Sequence, residues 1–325
     1  MKWFKFLFEI EKKPHRGLFA VEWIVLGYWV LTLLLMLFMW TRIVNLQAML
    51  GFRIEVVAIT AAMWLVYRLV PCRLVLLLRI GAQLALLGVW YPDTYEFNRL
   101  LPNLDHFFAE ADQQLFGFQP ALLFAKRFSH PVFSELMHLG YVSYFPLIAL
   151  VTLHYFFFRH TDFLRAMFIL LASFFIFYVV FIFLPVTGPQ YYYVAAGVDS
   201  IARGEFPNVG DYFLTHQEAM PLPGWRNGFC YELVNQAHAA GERPTAAFPS
   251  SHVGITLILL LLAWRSGNRK LFAVVGVFFT LMCFSTVYIQ AHYAVDVLAG
   301  LVSGFVFYFL LLVISDSAWV QSKHR

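Results

Sequence analysis

Apolar residues in this chain come in long blocks, most of them about 17 to 25 residues, the length of helix that crosses a ~30 Å hydrocarbon core. The blocks fall at 18–40, 54–70, 73–91, 134–158, 163–186, 252–264, 271–290 and 296–315. They lack the strict alternation of a membrane barrel strand. With 61% hydrophobic and only 13% charged residues, the chain is too apolar for a water-soluble domain, in which about a quarter of residues are charged. The reading is an all-α fold, a polytopic membrane helix bundle of about eight transmembrane helices forming one integral domain over residues 1–325. Within it, 1–91 holds the N-terminal spans and 134–315 the core.

Charge distribution orients the bundle. Lys2, Lys5, Lys12, Lys13 and Arg16 precede the first block, and Arg68, Arg73, Arg159, Arg165, Arg265, Arg269 and Lys270 fall in short turns on the same side. The positive-inside rule places that side in the cytoplasm, so both termini are expected there. The first block is full length and carries no small-residue cleavage site, which reads as a retained span. Cys72, Cys230 and Cys283 are too scattered for a disulfide framework or a metal cluster.

Two segments are too long for simple turns. Residues 92–133 alternate Leu104, Phe107, Phe108, Leu115, Phe116 and Phe118 with Asp105, Glu110 and Asp112, the pattern of amphipathic helices in the outer interface. Residues 188–247 carry Pro189, Pro207, Pro221, Pro223 and Pro244 among many glycines, so an irregular outer loop folding over the mouth as a lid is expected.

Two ionisable constellations border apolar blocks on the outer side. Phe248-Pro249-Ser250-Ser251-His252 opens a block: serine is a preferred N-cap, and free amides at such a mouth bind phosphate readily. By itself this reads first as a capped helix with an interfacial histidine. His292 and Asp296 stand four residues apart at the next outer boundary, so on one helical face the carboxylate reaches the imidazole. A structural His–Asp pair is the alternative, although ionisable groups at this depth point to function. Glu135, His138 and Tyr144, in the fourth block, offer a polar cluster for a headgroup or acceptor, or else hydrogen bonds between helices. Arg79, inside the third block, is expected to be paired or to snorkel.

Together, Phe248 to His252, then Ser285, then His292-Tyr-Ala-Val-Asp296 resemble the second and third signatures of the phosphatidic acid phosphatase type 2 superfamily. Ala111-Asp112-Gln-Gln-Leu-Phe-Gly117 more loosely resembles the branch containing inositol phosphorylceramide synthases. The resemblance implies that His292 attacks phosphorus to form a phosphohistidine, that Asp296 orients it, and that His252 acts as general acid and then base. Ser250 and Ser251 with the helix-mouth amides would hold phosphate oxygens. The chain departs from the family where cations are expected: Gly188-Pro189 is followed by Gln190, Ser285 is followed by Thr286, and the Lys–Arg-Pro first signature is absent. Arg226 and Arg243 are candidate substitutes, with Gln190, for phosphate binding.

A phosphomonoester dianion needs several cationic donors, whereas a phosphodiester carries one charge and needs fewer. The expectation is therefore a membrane enzyme that transfers a phosphoryl-bearing headgroup between lipids at the outer leaflet. The alternatives are a lipid phosphate phosphatase and a non-catalytic lipid binder or transporter. Its partners are a membrane lipid substrate and an acceptor. No cofactor, metal or nucleic acid is expected.

Overall fold

The computed structural model describes residues 2–239 and 242–324. Its helices are α1 (Lys2–Leu7), α2 (Ala20–Phe38), α3 (Leu46–Leu69), α4 (Arg73–Asn98), α5 (Asp105–Phe116), α6 (Pro120–Arg127), α7 (Pro131–Val142), α8 (Tyr144–Phe158), α9 (Phe163–Phe183), α10 (Pro189–Ala196), α11 (Val198–Ala202), α12 (Phe229–Ala239), α13 (Ser251–Arg265), α14 (Arg269–Tyr288), α15 (Ala294–Ser315) and α16 (Ala318–His324). Among the described residues there is no β-strand, only an isolated bridge between Ile10 and Cys72.

Among the described residues, six helices are long and apolar enough to cross a membrane: α2, α3, α4, α9 with the 3-10 turn before it, α14 and α15. The other two blocks behave differently. The fourth breaks at Ser143 into α7 and α8, which meet at 48°. The sixth, α13, has 15 residues, about 22 Å at 1.5 Å per residue and short of a hydrocarbon core. It packs against α8, α9, α14 and α15 and is buried along most of its length. A helix walled by protein need not match the lipid thickness; among the described residues six helices pass by length and composition alone, seven with the bent pair, and the short α13 is the eighth apolar block.

The bundle is centred on α9 and α13. Most of α9 is buried, whereas α3 and α15 turn large apolar side chains outward, as a lipid-facing surface requires. Glycines set the closest crossing: a Cβ on Gly300 would lie 2.6 Å from the Ser250 carbonyl oxygen, and one on Gly304 the same distance from that of Gly254. This backbone-to-backbone approach brings the mouths of α13 and α15 together.

Two arginines inside the bundle are paired with carboxylates. Arg53 forks onto Asp93 at 2.9 and 3.1 Å, and Arg79 bonds Glu22 at 2.5 and 2.6 Å. Both arginines are almost wholly buried against aromatic faces, Trp90 and Phe97 for Arg53 and Phe19 and Tyr67 for Arg79. Arg79 is thus paired rather than snorkelling.

The two long connections are more ordered than their composition suggests. In the first, α5 exposes Phe107, Leu115 and Phe116 and turns Asp105, Ala109 and Asp112 inward. The second, 188–247, is not wholly irregular: it contains α10, α11, a 3-10 turn at Tyr212–Leu214 and α12. Ser134 Oγ accepts from the Trp225 N–H, and Glu135 accepts from the Cys230 and Tyr231 N–H groups, which pins α12 to α7.

Candidate active site

His252 and His292 meet where the chain brings three helix mouths together. Gly188, Ser250 and Tyr293 precede α10, α13 and α15 respectively, each as the N-cap. Ser250 accepts from the Val253 N–H through its side chain and donates its own N–H to the Asp296 carbonyl at 3.0 Å. Gly188 has φ +92°, and a Cβ there would meet the Ala291 carbonyl oxygen at 2.5 Å. Only glycine lets this turn lie so close to the His292 loop.

One carbonyl sets the protonation pattern of the pair. The Nδ1 of His292 lies 2.7 Å from the Ala247 carbonyl oxygen, which can only accept, so Nδ1 carries the proton. Nε2 is then bare and faces Nδ1 of His252 at 3.3 Å. The nitrogen of His252 must donate in that contact. Burial pushes the His292 imidazole down to about 4 from its ordinary 6.5, the Ala247 bond opposing the shift, so the ring is neutral at pH 7.

Asp296 is close but not hydrogen-bonded to the ring. Its Oδ2 stands 3.6 Å from His292 Nδ1 and accepts from the Tyr293 N–H at 2.8 Å, while Oδ1 has no partner. The side chain predicted to orient His292 therefore shares that position with a backbone carbonyl that leaves no mark in the sequence.

Aromatic rings frame His252. Tyr141 stacks on it with centroids 4.8 Å apart, and Tyr144 lies at 4.5 Å. The Ser251 hydroxyl interacts with the Tyr144 phenol. Among the described residues no hydrogen bond engages the Ser251 or His252 N–H, so the α13 mouth keeps donors for an anion.

The remaining predicted residues divide. Tyr144 belongs to the pocket, whereas Glu135 caps α12 and His138, fully buried, bonds the Ser134 carbonyl at 2.7 Å. Gln190 is buried on α10; its N–H donates to the Gln290 carbonyl and its carbonyl accepts from Met220. Arg226 is exposed, and exposed Arg243 donates to Gln217 at 2.6 Å. Neither arginine touches the histidine pair.

Sequence reasoning placed Asp105 and Asp112 on the polar face of an interfacial helix, gave Asp112 besides only a looser likeness, and passed over Tyr141. Asp105 accepts from the Thr187 and Gly188 N–H groups, the Thr187 hydroxyl, Asn103 and the Tyr293 hydroxyl. Asp112 accepts from the Ala294 and Val295 N–H groups at 2.9 Å each. Burial raises both carboxyls, Asp112 to about 6, with their hydrogen bonds opposing the shift. Their spacing of seven, two helical turns, places them on one face of α5 and was the available signal.

No curated protein and no solved structure gives a significant match to the chain. A family model described as the PAP2 superfamily matches residues 106–310, a stretch that takes in α5 after its first residue, the Ala247 carbonyl and both histidines. The chain is a member of the PAP2 (phosphatidic acid phosphatase type 2) superfamily, and so of a group of enzymes that cleave lipid phosphoesters.

Proposed function

We propose that the protein is a lipid phosphotransferase that moves a phosphoryl-bearing headgroup from a lipid phosphodiester to a lipid hydroxyl through a phosphohistidine on His292. The observation that carries this reading is the bare Nε2 of His292 facing the His252 Nδ1–H at 3.3 Å, with Nδ1 committed to the Ala247 carbonyl. Nε2 attacks phosphorus and its lone pair forms the N–P bond. The P–O bond to the donor lipid breaks, and the leaving oxygen takes a proton from His252, which must hold protons on both ring nitrogens once the anionic substrate is bound, so that it is left as a neutral imidazole. In the second half the acceptor hydroxyl gives its proton to His252 and its oxygen displaces His292 from phosphorus. Splitting the transfer in this way replaces one hard step by two easier ones.

Local charge supports a diester over a monoester. Asp105, Asp112 and Asp296 are all fully buried around the α15 mouth. Among the described residues no lysine or arginine acts appreciably on His252, His292 or Asp296. A dianionic monoester would find no compensating lysine or arginine at the histidine pair, whereas a monoanionic diester needs only the α13 amides and Ser251. On this reading both termini are cytoplasmic, the histidines face the outer leaflet, and segment 188–247 covers them.

The test is to incubate purified protein with a phosphodiester lipid labelled in its headgroup phosphate, with an acceptor lipid present. Acid-labile label on His292 and a new labelled lipid are expected. Free phosphate from a monoester, with no lipid product from the diester, would replace the transferase by a phosphatase. No label and no product with either class would leave a lipid binder.

A further inference from the structure

We propose that Asp105 and Asp112 are positioning residues of this site, and that α5 is a bracket fixing the His292 loop against the Gly188 turn. The inference rests on the transfer reading above and extends it to a helix that carries no reacting atom.

Both carboxylates are fully buried, yet neither is paired with a lysine or arginine among the described residues. Their charge is met by hydrogen-bond donors, chiefly backbone amides. Asp105 holds the Thr187 N–H at 2.7 Å, the Gly188 N–H at 2.8 Å, the Thr187 hydroxyl at 2.9 Å, Asn103 at 2.5 Å and the Tyr293 hydroxyl at 3.0 Å. Asp112 holds the Ala294 and Val295 N–H groups. Burying a carboxylate is costly unless its lone pairs are filled, and here they are filled by the two chain segments that flank His292.

The partners occupy both walls of the site. Tyr293, Ala294 and Val295 directly follow His292, and Gly188 packs against the carbonyl of Ala291, which directly precedes it. A rigid helix carrying two carboxylates two turns apart thus sets the spacing between these walls. The same bonds fill the α15 mouth with an anion and occupy the Gly188 N–H, so the free amides that remain for a phosphate are those of α13. Asp105 and Asp112 have their oxygens committed to donors and touch neither histidine, which separates them from the acid–base groups.

Replacing either by asparagine turns an amide N–H₂ toward N–H donors. In full-length protein in detergent, Asp105→Asn and Asp112→Asn are expected to lower kcat for lipid transfer by about 10²-fold, the size of effect a ~1 Å displacement produces. KM should stay within about threefold, because the α13 amides still bind the phosphate. Hydrogen exchange should speed up at the amides of Thr187, Gly188, Ala294 and Val295. Asp93→Asn is the control, since Asp93 is another buried carboxylate but bonds Arg53 on α3 and not α5 or the His292 loop. At a matched loss of thermal midpoint it should keep most of the kcat. A loss of kcat in the Asp105 and Asp112 variants no greater than in Asp93→Asn would overturn the positioning role. Unchanged exchange at the four amides would overturn the bracket, and this readout needs no turnover. It therefore remains decisive if the wild-type protein transfers no lipid and the function itself is wrong.

Discussion

His252 Nδ1 and His292 Nε2 stand 3.3 Å apart, and the Ala247 carbonyl forces the proton in that contact onto His252. The proposed transfer needs the same nitrogen pair: one bare nitrogen to attack phosphorus and one protonated nitrogen to meet the leaving oxygen. The two rings also block each other. In the proposed transfer a phosphorus atom enters between them, which requires the contact to break as the site fills.

The roles can be told apart by the leaving group. His292→Ala should lower turnover by on the order of 10⁴ or more, as loss of a nucleophile does. His252→Ala should cost about 10² to 10⁴ with a lipid alkoxide leaving group, the range for general acid catalysis. With a p-nitrophenyl phosphodiester, whose leaving group needs no proton, the first half-reaction of His252→Ala should recover and that of His292→Ala should not. Recovery of both variants, or of neither, in a burst assay would count against this division.

The buried imidazole has a definite pH signature. The His292 pKa is depressed from 6.5 to about 4, so below pH 6.5 the unfolded chain takes up a proton that the folded protein refuses. Its contribution to stability is full above pH 6.5 and lost as pH falls toward 4, by about 3 kcal/mol at 1.36 kcal/mol per unit. Asp112, raised to about 6, acts with the opposite sign: its contribution favours the folded protein at low pH and fades as pH rises through 6. The clean comparison is therefore wild type against His292→Gln, whose thermal midpoints should converge as pH drops from 7 to 4.5. Parallel curves would show that His292 is not buried neutral.

These features were not equally visible in the sequence. Each apolar block is helical, the fourth as the two helices α7 and α8, because length and hydropathy are local properties, and the spacing of His292 and Asp296 on the edge of one helix was likewise readable. Ala247 was not, since the group that acts is a backbone carbonyl that any residue carries. Asp105 looked like the wet face of an interfacial helix, and its five donors come from positions scattered from Asn103 to Tyr293. Arg226 and Arg243 were candidates by charge alone, and their exposure depends on how 188–247 folds back. The shortness of α13 was visible, but its meaning required knowing that protein surrounds it on all sides.

Arg53 and Asp93 should matter for stability and little for chemistry. Their side chains are 1% and 5% exposed and share two hydrogen bonds. Arg53→Leu leaves a buried carboxylate alone and should cost about 3 to 5 kcal/mol. Adding Asp93→Leu removes the stranded charge and should restore most of the thermal midpoint in detergent. A double variant as unstable as the single one would mean that Arg53 acts through its packing on Trp90 and Phe97 instead.

The glycine crossing of α13 and α15 links the bundle to the reaction. A Cβ at position 300 would lie 2.6 Å from the Ser250 carbonyl oxygen and 3.2 Å from its Cβ, so Gly300→Ala must push the α13 mouth away from α15. That mouth carries His252 and the free amides, and Ser250 is also tied to the Asp296 carbonyl. Gly304 makes the equivalent contact one turn further from the mouth, against Gly254. Both alanine variants should lose about 1 to 3 kcal/mol by overpacking. Only Gly300→Ala should also lower turnover by about 10²-fold, since it displaces the reacting ring itself. Comparing the specific activity of folded protein for the two variants decides the matter: equal losses would mean that the whole helix shifts as a unit, and that the mouth is not set by its own contact with Gly300.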